Sequence, residues 1–313
     1  MSEAMTHQPV LFEEVLHAMQ VKPDGVYVDG TFGRGGHAAA ILAQLGEHGR
    51  LIVMDKDPQA IAVAREKHAD DRRVTIIHDD YAQMKRHITE QGIGCQVDGV
   101  LLDLGVSSPQ LDDASRGFSF QHNGPLDMRM NTSQGETAQD WIMTASEKEI
   151  ADVLWRFGEE RFSRRIAGKI VDYRQQAVIK DTNTLVSLIK ECVPQGKEKK
   201  HPATRSFQAI RMRINHELDN IEQALGDIFD VLKVGGRLLV ISFHSLEDRL
   251  VKRFFKQQST QAPIPRGLPI KDSELPVTIR LRTIGKAIKA GVDELAQNPR
   301  ARSAVLRIAE RVS

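Results

Sequence analysis

The stretch Val26-Tyr-Val-Asp-Gly-Thr-Phe-Gly-Arg-Gly-Gly-His37 limits what this chain can fold into more than any other. Val26, Tyr27 and Val28 are β-formers, too few for a helix. Asp29 sits where that strand should end. Gly30, Gly33, Gly35 and Gly36 then permit backbone angles closed to other residues and let a ligand approach the main chain. His37-Ala-Ala-Ala-Ile-Leu-Ala-Gln-Leu45 has the composition of a helix. A strand, a glycine turn and a helix start together form a cradle for a nucleotide-like cofactor. An ordinary glycine-rich turn without a ligand is the plain alternative.

The glycine spacing departs from the dinucleotide fingerprint, because G-x-G-x-x-G read from Gly33 meets Ala38. An acidic strand end followed by Gly33-x-Gly35 looks more like the first motif of class I methyltransferases, which bind S-adenosylmethionine. Gly49 to Asp55 reads as a second buried strand ending in an acid, a common partner of ribose hydroxyls. That rule serves NAD and S-adenosylmethionine alike. Asp57-Pro58 starts a helix, with Asp57 as its cap, so Asp55 is the better ligand candidate.

Val74–His78 is a third strand, with Tyr81 just beyond it, either against an adenine face or a core-edge aromatic. Val97–Leu104 is a fourth strand, apolar almost throughout, as an interior parallel strand should be. The alternation predicts a doubly wound parallel sheet. It breaks at residues 112–134, a loop-like run long enough for a lid or binding loop. Helical patterns follow, opening with a capping box at Ser146–Glu149, and the rhythm implies a helical domain inserted at 112–205 into a domain made of 1–111 and 206–313. A long helix is expected from Phe207 to Leu232, broken near Asn215. A fifth strand at 235–243, a second capping box at Ser245–Asp248 and a last strand at 303–310, paired with 277–284, complete the pattern.

No apolar run approaches the ~20 residues a bilayer span needs, and the N-terminus lacks a signal-peptide pattern. Cys95 and Cys192 alone provide neither a disulfide framework nor a zinc cluster, which points to the cytoplasm and to no metal. Charge is uneven. Residues 1–113 hold 10 basic and 18 acidic side chains, and the remaining 200 hold 33 and 24. This suggests a cofactor half and a half that meets a polyanion; solvated surface charge is the bland reading.

Six strings go further: Asp29–His37, Leu101–Gln110, Gly-Pro-Leu-Asp-Met-Arg129, His-Pro-Ala-Thr-Arg-Ser-Phe-Gln-Ala209, Ser-Phe-His-Ser-Leu-Glu-Asp-Arg249 and Asn-Pro-Arg-Ala-Arg302. Through them the chain resembles, over nearly its whole length, the bacterial 16S rRNA cytosine-N4 methyltransferase family RsmH (formerly MraW). The resemblance implies a class I, Rossmann-like fold with an inserted helical domain. It also implies methyl transfer from S-adenosyl-L-methionine to N4 of a decoding-centre (P-site) cytidine in the small ribosomal subunit. Carried over by residue, the cofactor pocket falls on Gly35, Gly36, His37, Asp55, Tyr81, Asp103 and Gln110. Gly35 and Gly36 would meet the amino-acid part through backbone, Asp55 the ribose and Tyr81 the adenine. Asp103 and Gln110 would border the sulfonium and methionine end.

The residues allow that chemistry. A cytosine N4 amine is weakly nucleophilic, and acceptors for its two protons favour attack. Ser108-Pro109 offers a hydroxyl and a loop carbonyl. The aromatic usual in amino-methyltransferase loops is missing there, which leaves Phe118 or Phe120 to stack the base. Neither cysteine follows proline in a site loop, which argues against attack through cytosine C5. Lys197, Lys199, Lys200, Arg205, Arg211 and Arg213, with Arg161, Arg164 and Arg165, are expected to contact phosphates. His37 and His244 are candidates either for general bases or for hydrogen-bonded structural histidines. Two rival functions remain: an NAD-dependent oxidoreductase, and an RNA-binding assembly factor that keeps a cofactor pocket as a structural feature.

Overall fold

The computed structural model describes residues 9–194, 201–261 and 279–313. Helix α1 (Phe12–Met19) leads to β1 (Val26–Asp29), α2 (Gly36–Leu42), β2 (Arg50–Asp55), α3 (Pro58–His68), β3 (Val74–His78), α4 (Met84–Glu90) and β4 (Val97–Asp103). Helices follow: α5 (Ser108–Asp112), α6 (Ala138–Thr144), α7 (Glu147–Gly158), α8 (Ser163–Arg174), α9 (Thr182–Cys192), α10 (Thr204–Asn215) and α11 (Glu217–Val231). The chain then forms β5 (Leu232–Ser242), α12 (Ser245–Gln258), β6 (Leu281–Thr283), β7 (Ile288–Lys289), α13 (Val292–Gln297) and β8 (Val305–Arg311). Two compact units result: Met1–Gly105 with Asp219–Ser313, and Val106–Leu218.

The first unit is built on one sheet of order β3-β2-β1-β4-β5-β8-β6, with β7 paired to β8. Strands β3 to β5 are parallel, and β8 runs antiparallel between β5 and β6. Strand β4 is buried from Val97 to Leu102, which explains its unbroken apolar run. The order reverses between β1 and β4, and ligands of open α/β sheets bind outside the strand ends at such a reversal. On one sheet face, Leu11, Val15 and Met19 at α1 join Tyr27, Ile41, Leu51, Leu101 and Leu239 in one core. Helix α1 buries Val15, Ala18 and Met19. Asp57 caps α3 by accepting from the Gln59 N–H at 2.9 Å, as its Asp-Pro pair predicts.

The second unit has its own core, including Leu126, Met128, Trp141, Ile150, Leu154, Ile166, Leu185 and Ile210. Its limits differ from those of the expected insert because Val106 and Leu111, before it, and Phe207, Ile210 and Ile214, after it, pack into that core. Residues 112–134 are not a free lid. Leu126, Met128 and Met130 are buried, and the Leu126 N–H donates to the Lys180 carbonyl at 3.2 Å. Buried Arg116 donates through Nη2 to the carbonyls of Arg129 and Met130. Asn215 accepts from the Met130 N–H and donates to the Met128 carbonyl, both at 2.7 Å. Turn residues disguise the segment as loop, while its apolar side chains complete a core. His216 is left-handed and ends α10, so the break expected near Asn215 occurs there. Among the described residues no helix is long and apolar enough to cross a membrane.

Candidate active site

The carboxyl ends of the parallel strands carry acids. Strand β1 ends at Asp29, β2 at Asp55 and β4 at Asp103. The loop after β1 links them. The Thr31 N–H donates to Asp29 Oδ1, and Thr31 Oγ1 accepts from the Asp103 N–H at 2.7 Å. The Gly33 N–H donates to Asp55 Oδ2 at 2.8 Å, and the Asp57 N–H to Asp55 Oδ1 at 2.8 Å. Asp55 therefore shapes the loop, and each of its oxygens keeps a second lone pair for a hydroxyl.

Gly35 has φ +77° and caps α2; a Cβ there would lie 2.5 Å from the Phe32 ring. A Cβ on Gly36 would lie 2.2 Å from Pro9 Cγ. The protein's own packing thus requires both glycines, beside any ligand that meets their backbone. His37 is buried, its ring stacked 6.1 Å from Phe12. Burial holds its pKa down at about 4, with the Val10 backbone opposing in part. A ring this hard to protonate is a weak base at neutral pH. Tyr81 begins a short 3₁₀ turn capped by Asp80, and Asp80 also accepts from Lys56 Nζ and Asn220 Nδ2.

The electrostatics of the cluster are unusual. Burial pushes Asp29 up to about 7, with Asp55 adding to the shift. Burial also raises Asp55 to about 6. Asp103 rises to about 8 through burial and then through Asp29 and Glu247. Its Oδ1 is buried with no hydrogen-bond partner. Like charges gathered away from water favour protonation, and a cation placed among them would reverse this. The set therefore fits a positively charged ligand group and ill fits an anionic one.

Asp29 and Glu247 were not singled out as site residues from sequence. An acid closing an apolar strand marks the first, and the Ser-Phe-His-Ser-Leu-Glu string carries the second. Glu247 is fully buried, and its Oε2 accepts from the Phe243 N–H at 2.8 Å. His244, rather than the expected Ser245, caps α12. Its Nδ1 accepts from the Glu247 N–H, and its Nε2 lies 2.9 Å from Glu247 Oε1. His244 is thus a structural cap.

Ser108, Pro109 and Gln110 stand at the start of α5, in the second unit. Ser107 is the cap, and Gln110 Oε1 accepts from its N–H at 2.9 Å. Gln110 is buried, with this oxygen turned onto its own helix. Phe118 is buried in the second core, with Arg116 over its ring, so it is not free to stack a base. Phe120 stacks on His201 with centroids 4.5 Å apart.

Of the cations, Arg161, Arg164 and Arg165 are exposed and Arg205 is half-buried. Arg211 departs from the expectation: it makes a two-pronged pair with Glu217 at 2.8 and 2.9 Å, with both side chains largely buried. Arg213 lies over Trp141 and near Glu136 and Glu149. Lys197, Lys199 and Lys200 lie outside the described residues.

Comparison with known proteins bears on this arrangement. Residues 4–312 match the model of the MraW methylase family. The ribosomal RNA small subunit methyltransferase H of Thioalkalivibrio sulfidiphilus is 53% identical over 311 residues, covering 99% of this chain and 98% of that protein. Among solved structures, an rRNA methylase from Streptococcus thermophilus is 12% identical, with 99% of this chain and 100% of that one covered and a TM-score of 0.40. A SAM-dependent O-methyltransferase from Thermotoga maritima is 11% identical, with 98% and 67% covered and a TM-score of 0.39. These two structural likenesses are too distant to inform on the chemistry.

Proposed function

The chain belongs to the MraW methylase family, and from that premise we propose that it methylates the exocyclic N4 amine of a decoding-centre cytidine in 16S rRNA. It is an S-adenosylmethionine-dependent rRNA methyltransferase with a class I, Rossmann-like fold. The observation that carries the cofactor side is the buried Asp103 Oδ1, which has no partner and sits among other acids.

The cofactor, when bound, supplies a methyl group made electrophilic by a sulfonium cation. Asp103 and Asp29 would hold the positive end of that group in a place where an anion is repelled. Asp55 would accept from ribose hydroxyls with its remaining lone pairs, and Tyr81 would lie along the adenine. Gly35 and Gly36 would offer backbone to the amino-acid part, with Gln110 at its border. His37 would contribute packing under the glycine loop. Positioning supplies much of the catalysis of such an in-line displacement. A charge that disappears during reaction should not be held too tightly, because that favours the reactant over the transition state. Ser108 and the carbonyl beside Pro109 would accept the protons of the target amine.

Arg161, Arg164, Arg165 and Arg205, with Lys199 and Lys200, would contact phosphates of the small-subunit RNA in the cytoplasm. Arg211 would act instead through Glu217, holding the end of α10. The second unit, Val106–Leu218, would recognise the substrate.

The test is tritiated methyl transfer from S-adenosylmethionine to 30S particles lacking the modification, with nucleoside analysis. Label is expected in N4-methylcytidine. Label in another nucleoside would overturn the target. No label together with tight cofactor and RNA binding would instead favour an assembly factor. Ser108→Ala is expected to slow turnover at saturating RNA; near-normal turnover would remove Ser108 from the chemistry.

A further inference from the structure

Trp155 is 58% exposed, and the other large exposed hydrophobics among the described residues are valines. Trp141, by contrast, is 2% exposed, and its Nε1 donates to Glu149 at 2.9 Å. Isolated exposed apolar residues are common and need no explanation. Trp155 differs through the corner it stands on. Helix α7 ends at Gly158, and Glu159 takes a left-handed conformation with φ 50°. The Glu159 N–H donates to the Trp155 carbonyl at 3.0 Å and the Glu160 N–H to the Leu154 carbonyl at 3.1 Å. Glu160 is buried, and its Oε1 accepts from the Phe162 N–H at 2.9 Å. The turn is therefore fixed by its own hydrogen bonds, and it presents Arg161 outward between two inward residues.

Arg161 and Arg164 are both exposed just past this corner. From Arg161 to Arg174 there are five basic residues and one acid, Asp172. Lys169 pairs with Glu191, and Arg165 leans onto the Glu191 carbonyl, which leaves Arg161 and Arg164 at the corner itself. The exposed side of α7 carries Glu147, Lys148, Asp152 and Arg156, and Arg156, next to Trp155, joins Arg161 and Arg164 in the positive charge of the corner. Helix stability does not ask for it, since the first turn of α8 holds no acid and cations there oppose the helix dipole. A flat exposed ring near the end of α7, followed within ten residues by two exposed arginines, matches what a single-stranded nucleic acid offers: a base face next to its phosphates.

We infer that the α7–α8 corner is an RNA platform in which Trp155 stacks an unpaired base and Arg161 and Arg164 take the adjoining phosphates. This rests on the rRNA reading above and adds a contact to it.

Transcribed 16S rRNA is titrated into the protein while acrylamide quenching of tryptophan emission is followed. Trp155 is the accessible emitter, so RNA is expected to quench and shield it. Filter binding should show Trp155→Ala weakening affinity by about 5- to 100-fold with the salt slope unchanged. Trp155→Phe, which keeps a ring and controls for folding, should recover most of it. Arg161→Gln with Arg164→Gln should lower the salt slope by about 1.5. Full affinity in Trp155→Ala, or a Trp155 left open to acrylamide when RNA is bound, would overturn the inference. So would sedimentation showing that Trp155→Ala abolishes self-association while RNA affinity is kept. Methyl transfer to 30S particles is measured on the same protein. Its absence would count against the rRNA reading, whereas transfer with an unshielded Trp155 would count against the platform alone.

Discussion

Strand β4 carries an aspartate at each end, and the two live in opposite conditions. Asp98, near its start, accepts from the Val26 N–H and pairs with Lys22 and Lys233. Burial pushes its pKa up, but these partners outweigh it and the net shift is downward. Asp103, at the other end, has a buried oxygen without a partner, and burial, Asp29 and Glu247 raise it to about 8. One carboxylate is a finished part of the fold. The other has a buried oxygen left without a partner, which fits the cation proposed to sit beside it. The contrast teaches that a satisfied buried charge reports on architecture and an unsatisfied one on ligand.

The sharpest break of this comparison is Asp103→Asn. S-adenosylmethionine binding by calorimetry should weaken by about 10- to 100-fold, the scale of one charge-assisted interaction. The melting temperature of the unliganded protein at pH 8 should hold or rise. A fall in melting temperature with affinity kept would reverse the roles of the two ends. Asp98→Asn should do the opposite, costing about 1–2 kcal/mol in denaturant unfolding after allowance for the solvent-exposed Lys22. Cofactor affinity should be unchanged.

The pH dependence follows with opposite signs. Asp29 and Asp103, raised from 3.8 to about 7 and about 8, keep protons when folded that the unfolded chain releases near 3.8. Their contribution to stability is full below that value and is lost as pH rises to about 8. Asp98 contributes above 3.8 and loses its contribution as pH falls through its lowered value. Cofactor binding reads the first effect directly. The preference for S-adenosylmethionine over uncharged-sulfur S-adenosylhomocysteine should grow as pH rises from 6 to 9, by up to about tenfold per unit. Asp103→Asn should flatten that curve, and a flat curve in the wild type would place the sulfonium away from Asp103. The smallest effect lies at exposed Arg165 of the second unit. Arg165→Gln should change melting by less than about 0.5 kcal/mol, because surface charges contribute little to stability. Its place should show only as a shallower salt dependence of 30S binding.

The sequence by itself determined what depends on near neighbours along the chain. The strand–glycine–helix run, the apolar interior strand, the Asp57 cap and the acids closing β1 and β2 are all readable, because periodicity, caps and turns are decided within a few residues. The long strings from Asp29 to Arg302 also carried the family. What tertiary structure alone decided was which groups have partners. Arg211 reads as a free cation until Glu217 is found beside it. Phe118 reads as a loop aromatic until a core closes over it. Asp98 and Asp103 differ little on paper, and only the lysines gathered at one end and the acids at the other separate them. Solvation and pairing are properties of position in space: Lys233 at Asp98, and Asp29 and Glu247 at Asp103, are brought there from distant parts of the chain, and no local pattern encodes them.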